Sequence, residues 1–267
     1  MNKKDKKIGV GIVTCDRVNF FEKCLNSIPD YVDHIVVVND GKDDINIDNK
    51  RDIKYIKNTK NVQVGECKNI AMRELLDNNC DYIFTLEDDI FIKEPDTFLK
   101  YINASNITGI EHFNFGFSQR ENLDKNLKPV YRNVIEYTND LKIVLTPNIL
   151  GAFTFFTRKC LQTVGLHHHL FNKGHGDHPE LTYRAYKHGF TTPFWWFADL
   201  YESWNMIGNS SNLGSDSLVR NQKEFAENFA QARNNFKLLH GVDMLSVPQT
   251  SSEDVIKILK NLKLKNG

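Results

Sequence analysis

Residues 82–92 read YIFTLEDDIFI: an apolar run, three consecutive acids, and a second short apolar run. The β-branched and aromatic residues 82–86 have the composition of a buried strand, which puts Glu87, Asp88 and Asp89 at its carboxyl end. Three packed carboxylates repel one another and raise one another's pKa values unless a cation is present. An oxygen-rich cluster suits a hard divalent cation, Mn2+ or Mg2+. Along an extended chain positions 87 and 89 face the same side, so Glu87 and Asp89 are the candidate metal ligands. A solvated acidic turn is the competing reading of the cluster alone.

Working outward, residues 8–14 (IGVGIVT) and 34–39 (HIVVVN) read as two more buried strands, and residues 53–56 as a short one. Between them, residues 19–28 carry Phe20, Cys24, Leu25 and Ile28 on one helical stripe, with Asn19 and Glu22 as an N-cap signal. Residues 65–78 read as a helix leading into the acidic strand. Strands alternating with helices imply βαβ units and a mostly parallel sheet. Such sheets bind ligands at the carboxyl ends of their strands. Three polar clusters fall there: residues 14–17, 39–44 and 87–89.

The second half is less regular. Residues 130–144 read as a hairpin turning at Asn139-Asp140, residues 151–157 as an aromatic strand and 158–164 as a short helix. Residues 167–177 form a loop rich in His and Gly. Pro179 opens a helix through Lys187 that stops at Gly189, the expected asymmetry of Pro at the first turn and Gly past the end. Residues 192–197 read as a strand, 206–217 as a loop, 224–240 as a helix, and Ser252 as the cap of a final amphipathic helix with Val255, Ile256, Leu259 and Leu262 along one side.

The 267 residues fit one large domain or two small fused ones. Thirty-four Lys plus Arg balance 34 Asp plus Glu, which removes the electrostatic argument for nucleic acid as the main partner. No apolar run approaches the roughly 20 residues of a membrane helix, and the five scattered cysteines lack a CxxC pair, so the expectation is a soluble cytoplasmic protein with reduced thiols.

Four segments in order resemble the family 2 glycosyltransferases of the GT-A fold. Residues 9–28 (GVGIVTCDRVNFFEKCLNSI) are similar to that family's opening strand and helix. Residues 34–44 (HIVVVNDGKDD) resemble its strand with a DGS element, with Lys42 where Ser is usual. Residues 60–75 (KNVQVGECKNIAMREL) resemble its approach to the second helix, and residues 82–92 its DxD strand, with Glu87 replacing the first Asp. The resemblance is close over residues 8–92 and looser to about residue 201. It implies an α/β protein of the GT-A (Rossmann-like) class: a mixed central sheet flanked by helices, with a C-terminal helical extension. The implied division is a nucleotide-sugar-binding half at 1–92, an acceptor-binding half at 93–205, and a lid loop with C-terminal helices at 206–267.

The resemblance also implies roles. Thr14, Asp16 and Arg17 should lie beside the nucleotide, Asp40 should bond the base, and Lys68 should stand near the ribose or diphosphate. Asp88 should face ribose or sugar, and Asp89 is the strongest candidate for metal ligation. Residues 151–158 (GAFTFFTR) are similar to a strand that precedes the family's catalytic Glu-Asp pair, and residues 176–184 (GDHPELTYR) to the helix that pair begins. Here Asp177 falls on the Glu and His178 on the catalytic Asp. Asp177 as base after a one-residue shift, His178 with its ordinary pKa of about 6.5, and Glu180 therefore compete for the role; an N-terminal helix cap is the plain alternative for Asp177. No His occurs between Phe190 and Arg233 to supply the family's late metal ligand, so Asp199 or Glu202 is the substitute. Residues 209–220 have the composition of a lid, and Arg220 or Lys223 could close on a diphosphate.

The histidines at 167, 168, 169 and 175 invite a zinc reading, but adjacent side chains point in different directions, which favours a polar acceptor-side loop. Trp195, Trp196 and Trp204 read as core residues or as a sugar-stacking platform. The implied activity is transfer from a nucleotide-diphosphate sugar, a UDP-sugar by resemblance, to an acceptor hydroxyl, inverting by direct displacement. Polysaccharide, teichoic acid, protein and modified phage DNA are the open acceptors, and the final helix leaves a homodimer or a membrane-surface contact open. A nucleotidyltransferase lacks support, because the turn after the first strand carries no Gly-rich phosphate loop. A sugar-nucleotide-binding module without turnover is the other alternative.

Overall fold

The computed structural model describes residues 6–47, 51–171, 175–211 and 223–266. In chain order they form β1 (Ile8–Thr14), α1 (Val18–Asn26), β2 (His34–Asn39), β3 (Ile53–Lys57), α2 (Val64–Asp77), β4 (Tyr82–Glu87), β5 (Ile90–Ile92), α3 (Thr97–Thr108) and β6 (His112–Asn114). Then follow β7 (Asn133–Thr138), β8 (Leu141–Thr146), β9 (Phe153–Thr157), α4 (Arg158–Val164), α5 (Asp177–Lys187), β10 (Phe197–Leu200), α6 (Ser203–Met206), β11 (Ile207–Asn209), α7 (Phe225–His240) and α8 (Ser252–Asn266).

Six strands make the central sheet, in the order β3-β2-β1-β4-β9-β6. The first four are parallel, and β9 runs antiparallel to both β4 and β6. The sheet is therefore mixed, as expected. Its parallel half has near-continuous apolar strands because both faces are covered; all seven residues of β1 are buried. Gly9 and Gly11 let α2 lie against this strand, since a Cβ at Gly9 would meet Leu75 and Cys80, and one at Gly11 would meet Ala71.

Register aligns the strand ends. Thr14 pairs with Asn39 and Val13 with Glu87, so β1, β2 and β4 deliver their polar ends in one row. A three-stranded antiparallel sheet, β10-β8-β7, and the pair β11-β5 build out the second half. Phe84, Phe98, Tyr101, Phe113, Phe153 and Phe155 fill the core where β4 and β9 meet α3.

Several local expectations are corrected. The cap of α1 is Arg17, whose carbonyl accepts the N–H groups of Phe20 and Phe21; the chain already reverses at Asp16, which has a φ of 53°, so Asn19 lies inside the helix. The strand expected at 192–197 begins only at Phe197, because Trp195 takes a positive φ of 69° and breaks the extended run. Residues 207–209, expected as loop, pair antiparallel with β5. Ser251, not Ser252, caps α8: its Oγ accepts the Asp254 N–H and donates to the Asp254 carboxylate. Val255, Leu259 and Leu262 of α8 are buried while Ile256 faces outward, and the helix packs on α3. Among the described residues no helix is long and apolar enough to cross a membrane.

Candidate active site

The extended geometry that paired Glu87 with Asp89 ends at Glu87, the last residue of β4; Asp88 and Asp89 form a turn. The three acids consequently diverge. Asp88 is buried and turned toward the β1–α1 connection, where its Oδ2 accepts the Thr14 hydroxyl at 2.8 Å and the Arg17 guanidinium grips both of its oxygens. Arg17 Nη1 also lies 3.6 Å from Asp89 Oδ2. Burial raises the Asp88 carboxyl although Arg17 and Thr14 pull it down. Thr14, Arg17 and Asp88 are thus engaged with one another at the strand ends.

Glu87 points the other way. Its Oε1 accepts from Lys68 Nζ at 2.6 Å. Lys68 has no solvent-exposed side-chain surface, and it also donates to the Gly151 carbonyl at 2.8 Å and lies 3.2 Å from His178 Nε2. One buried ammonium therefore ties together α2, the end of β4, the segment before β9 and the start of α5. Burial alone would raise the Glu87 carboxyl, but the charge and hydrogen bond of Lys68 outweigh it and hold it below the usual range. The expectation that Lys68 stands near a ribose or diphosphate is a separate matter from these contacts, in which its ammonium is held by protein groups. The sequence did carry a signal for this, because Lys68 falls within the buried stripe Cys67, Ala71, Met72 and Leu75 of α2, where an unpaired charge would be costly.

Asp89 is left as the acid without a dedicated partner. Its backbone carbonyl accepts from Ser210, which ties the turn to the residues after β11. Its Oδ1 is buried with no hydrogen-bond partner among the described residues, while the Ser211 hydroxyl helps to pull its carboxyl down. Burial, then the neighbouring Glu87, push its carboxyl up to about 6 against the pull of Arg17. With Arg17 matched to Asp88 and Lys68 to Glu87, Asp89 is the surplus negative charge in the row. An orphaned carboxylate oxygen beside a second carboxylate fits a hard divalent cation.

Asp40 serves the protein. Its Oδ1 accepts from Asn58 and the Val62 N–H, and its Oδ2 from the Val62 and Gln63 N–H groups. It fastens the loop that enters α2. Asp16 Oδ1 accepts the Lys42 N–H at 2.7 Å. A methyl at Gly41 would collide with the Asp16 carboxylate and backbone nitrogen, so Gly41 is what lets these two turns touch.

On the other side of the row, Gly176 caps α5 without a side-chain bond, so Asp177 is the first helical residue rather than the cap. Asp177 is 1% exposed, and among the described residues neither of its oxygens has a well-formed side-chain hydrogen bond, although its own and the His178 backbone N–H groups pull its carboxyl down. Burial pushes its carboxyl up to about 6, against the pull of Lys68. His178 Nε2 lies 3.2 Å from Asp177 Oδ2 and 4.0 Å from Glu87 Oε1, and its side chain is 12% exposed. Burial and then Lys68 hold the His178 imidazole well below its ordinary pKa. Its ring lies where a Gly151 side chain would be. Gly151→Ala is therefore expected to expel His178 from Lys68 and to cost about 1–3 kcal/mol of stability through overpacking; a thermal melt and the His178 ring signals in proton NMR check both, and an unchanged His178 environment would refute the contact.

The remaining candidates have other tasks. Glu180 is buried, and both its oxygens are taken by Arg184, with His240 at 3.1 Å from Oε1. Burial would raise its carboxyl, but His240 and Arg184 hold it low; it ties α5 to α7. Asp199 is fully buried and accepts from Tyr101, Gly116, Leu200 and Ser203. Four donors saturate it, so it anchors β10 and is not free for a metal. Glu202 is half exposed, 3.5 Å from Lys100. Arg220 and most of the expected lid lie outside the described residues. Trp195 and Trp196 donate to the Val247 and Thr250 carbonyls, whereas Trp204 lines a cavity of about 440 Å³ with Phe91, Phe117, Leu127, Asn209 and Ser211. The histidine triplet splits: His168 and His169 stack on each other, and His167 turns to Asp177. Sequence reading singled out His167 but missed Asn69, whose pairing with it across 98 positions has no local signature.

No family model matches the chain, and no curated protein matches its sequence. Solved structures do share its fold. Residues 1–349 of TarS from S. aureus match with a TM-score of 0.55 at 12% identity, over 97% of this chain and 71% of that one. The same TarS segment in complex with UDP-GlcNAc matches at 0.54 and 12% identity, over 96% and 71%. GalNAc-T7 with UDP, GalNAc and Mn2+ matches at 0.56 and 11% identity, over 98% of this chain and 55% of that one; this chain thus spans about half the length of GalNAc-T7. At these identities the likeness establishes the fold, GT-A, with its mixed sheet and flanking helices.

Proposed function

From a GT-A fold with a surplus carboxylate at the ends of its central strands, we propose that this protein is a metal-dependent glycosyltransferase that moves a sugar from a UDP-sugar to an acceptor hydroxyl. The observation that carries the reading is Asp89 Oδ1, buried and unpartnered beside Glu87 and Asp88. The structural neighbours crystallised with UDP-GlcNAc, or with UDP, GalNAc and Mn2+, support the donor class and the cation. Asp89 would hold Mn2+ or Mg2+, which when bound offsets the charge developing on the leaving diphosphate; Glu87, turned to Lys68, would add its charge nearby and would have to swing from that pairing to ligate the same ion.

The chain's own residues do the rest. Arg17 and Thr14 hold Asp88 and thereby the turn that presents Asp89. Lys68 keeps Glu87 ionised and fixes His178. The acceptor oxygen attacks the anomeric carbon as the bond to the diphosphate breaks, and the hydroxyl proton passes to Asp177, beside which the less buried His178 stands. Direct displacement in one step inverts the anomeric centre. Residues 1–92 carry the donor in this reading and residues 93–205 the acceptor, a hydroxyl of a glycan before the alternatives. Five free cysteines fit a cytoplasmic location.

Calorimetric titration with UDP tests this. Binding is expected to require Mn2+ and to weaken at least about tenfold in Asp89→Ala, about 1.4 kcal/mol. Equal binding with and without Mn2+ in both proteins would remove the metal role, and no binding of UDP would remove the donor assignment. The burial of Asp177 favours a second reading, a sugar-nucleotide-binding domain without turnover. Release of more than one equivalent of UDP per chain from a UDP-sugar excludes it.

A further inference from the structure

His167, Asp177 and His178 form a cluster on the far side of Lys68 from Asp89, with His178 Nε2 4.0 Å from Glu87 Oε1: one ring nitrogen from each histidine and one carboxylate oxygen all lie within 4.8 Å of one another. His167 and Asp177 are buried, and each member is held from behind. The His167 N–H donates to Asn69 Oδ1 at 2.8 Å, and its Nδ1 lies 3.2 Å from the Asp177 carbonyl. That carbonyl can only accept, so Nδ1 carries the hydrogen and Nε2 keeps its lone pair, the arrangement of a histidine that ligates through Nε2. His178 is confined by its seat on Gly151.

Asp177 supplies the independent observation. Neither of its buried oxygens has a well-formed side-chain hydrogen bond among the described residues, His178 Nε2, itself a member of the cluster, standing 3.2 Å from Oδ2; the ammonium of Lys68 is matched by Glu87 at 2.6 Å, and a bound ion would replace its 3.2 Å contact with His178 Nε2. A carboxylate in that position is stabilised by a cation placed against it. Two imidazoles with one carboxylate suit a borderline ion such as Zn2+, whereas the all-carboxylate row suits Mn2+ or Mg2+.

We propose that His167, Asp177 and His178 bind Zn2+ or a chemically similar transition-metal ion at a second site, independent of Asp89. One consequence rests on the proposed function: an ion there takes the Asp177 lone pair needed for the acceptor proton, so Zn2+ would inhibit transfer without displacing UDP.

The test uses the full chain stripped with chelator, then titrated with Zn2+ by calorimetry and with Co2+ by visible absorption, for wild type, His167→Gln, Asp177→Asn and Asp89→Ala. Circular dichroism and thermal melts confirm that each variant is folded. The expected result is a Zn2+ site retained in Asp89→Ala and weakened at least about tenfold in His167→Gln and Asp177→Asn. Zn2+ binding lost only in Asp89→Ala, or absent from wild type, overturns the proposal. Neither readout depends on UDP, so failure of the glycosyltransferase reading is seen separately, in the UDP titration.

Discussion

Replacing Lys68 with methionine is expected to lower stability by about 3–5 kcal/mol, the cost of breaking a buried ion pair by removing one partner. Methionine keeps much of the volume and the stem, so the loss isolates the charge. The Glu87 carboxylate, now short of its 2.6 Å donor, stays partly buried, and the Gly151 carbonyl and His178 Nε2 lose the same ammonium. For a chain of this size each kcal/mol shifts the melting temperature by roughly 2–4 °C, so a fall of roughly 6–20 °C should appear in a thermal melt. Adding Glu87→Gln to Lys68→Met should recover part of the loss, because the orphaned charge is gone; a double-mutant cycle measures that coupling. A melting temperature within about 2 °C of wild type would mean that Lys68 is not the tie described here.

Asp177→Asn is expected to reduce UDP release from a UDP-sugar by about 10²–10⁴-fold, the usual contribution of a positioned general base, while leaving Mn2+-dependent UDP binding within a few fold of wild type. Asparagine keeps the shape and loses the proton acceptor. Because burial lifts the Asp177 carboxyl to about 6, wild-type turnover should rise with pH through that region and flatten above it. Stability runs the opposite way. A carboxyl whose folded pKa exceeds its unfolded value of about 3.9 contributes stability that is full below the unfolded value and is lost as pH rises through about 6. The shift corresponds to about 3 kcal/mol, and Asp177→Asn should flatten the wild-type decline between these two pH values. Turnover equal to wild type in Asp177→Asn would move the base to His178 or remove the base assignment.

Much of the first half was legible because its signals are local. Buried parallel strands read as unbroken apolar runs, and β1, β2 and β4 lie within a residue of where the sequence placed them. The hairpin of β7 and β8 turns at Asn139-Asp140 as expected, because turn residues report their own backbone. The second half was read less well where long-range pairing decides conformation. Residues 207–209 have no strand composition, yet they pair with β5 because that edge is open beside the acidic turn. Trp195 and Trp196 look like strand residues, but their indole N–H groups reach the Val247 and Thr250 carbonyls and hold the chain in a turn.

The sequence by itself determined the fold class, the alternation of strand and helix, and the delivery of Thr14, Asp40 and Glu87–Asp89 to one edge of the sheet, because period and composition act between neighbours in the chain. Only the tertiary structure decided how those groups are shared out. Arg17 is 71 positions from Asp88, Lys68 is 19 from Glu87 and 110 from His178, and Asn69 is 98 from His167. A charged side chain in a low-dielectric interior takes whichever opposite charge packing brings to it, and packing is a property of the folded chain. That is why Asp40, Asp88 and Lys68 are drawn into contacts with distant protein groups, while Asp89 Oδ1 is left without a donor among the described residues.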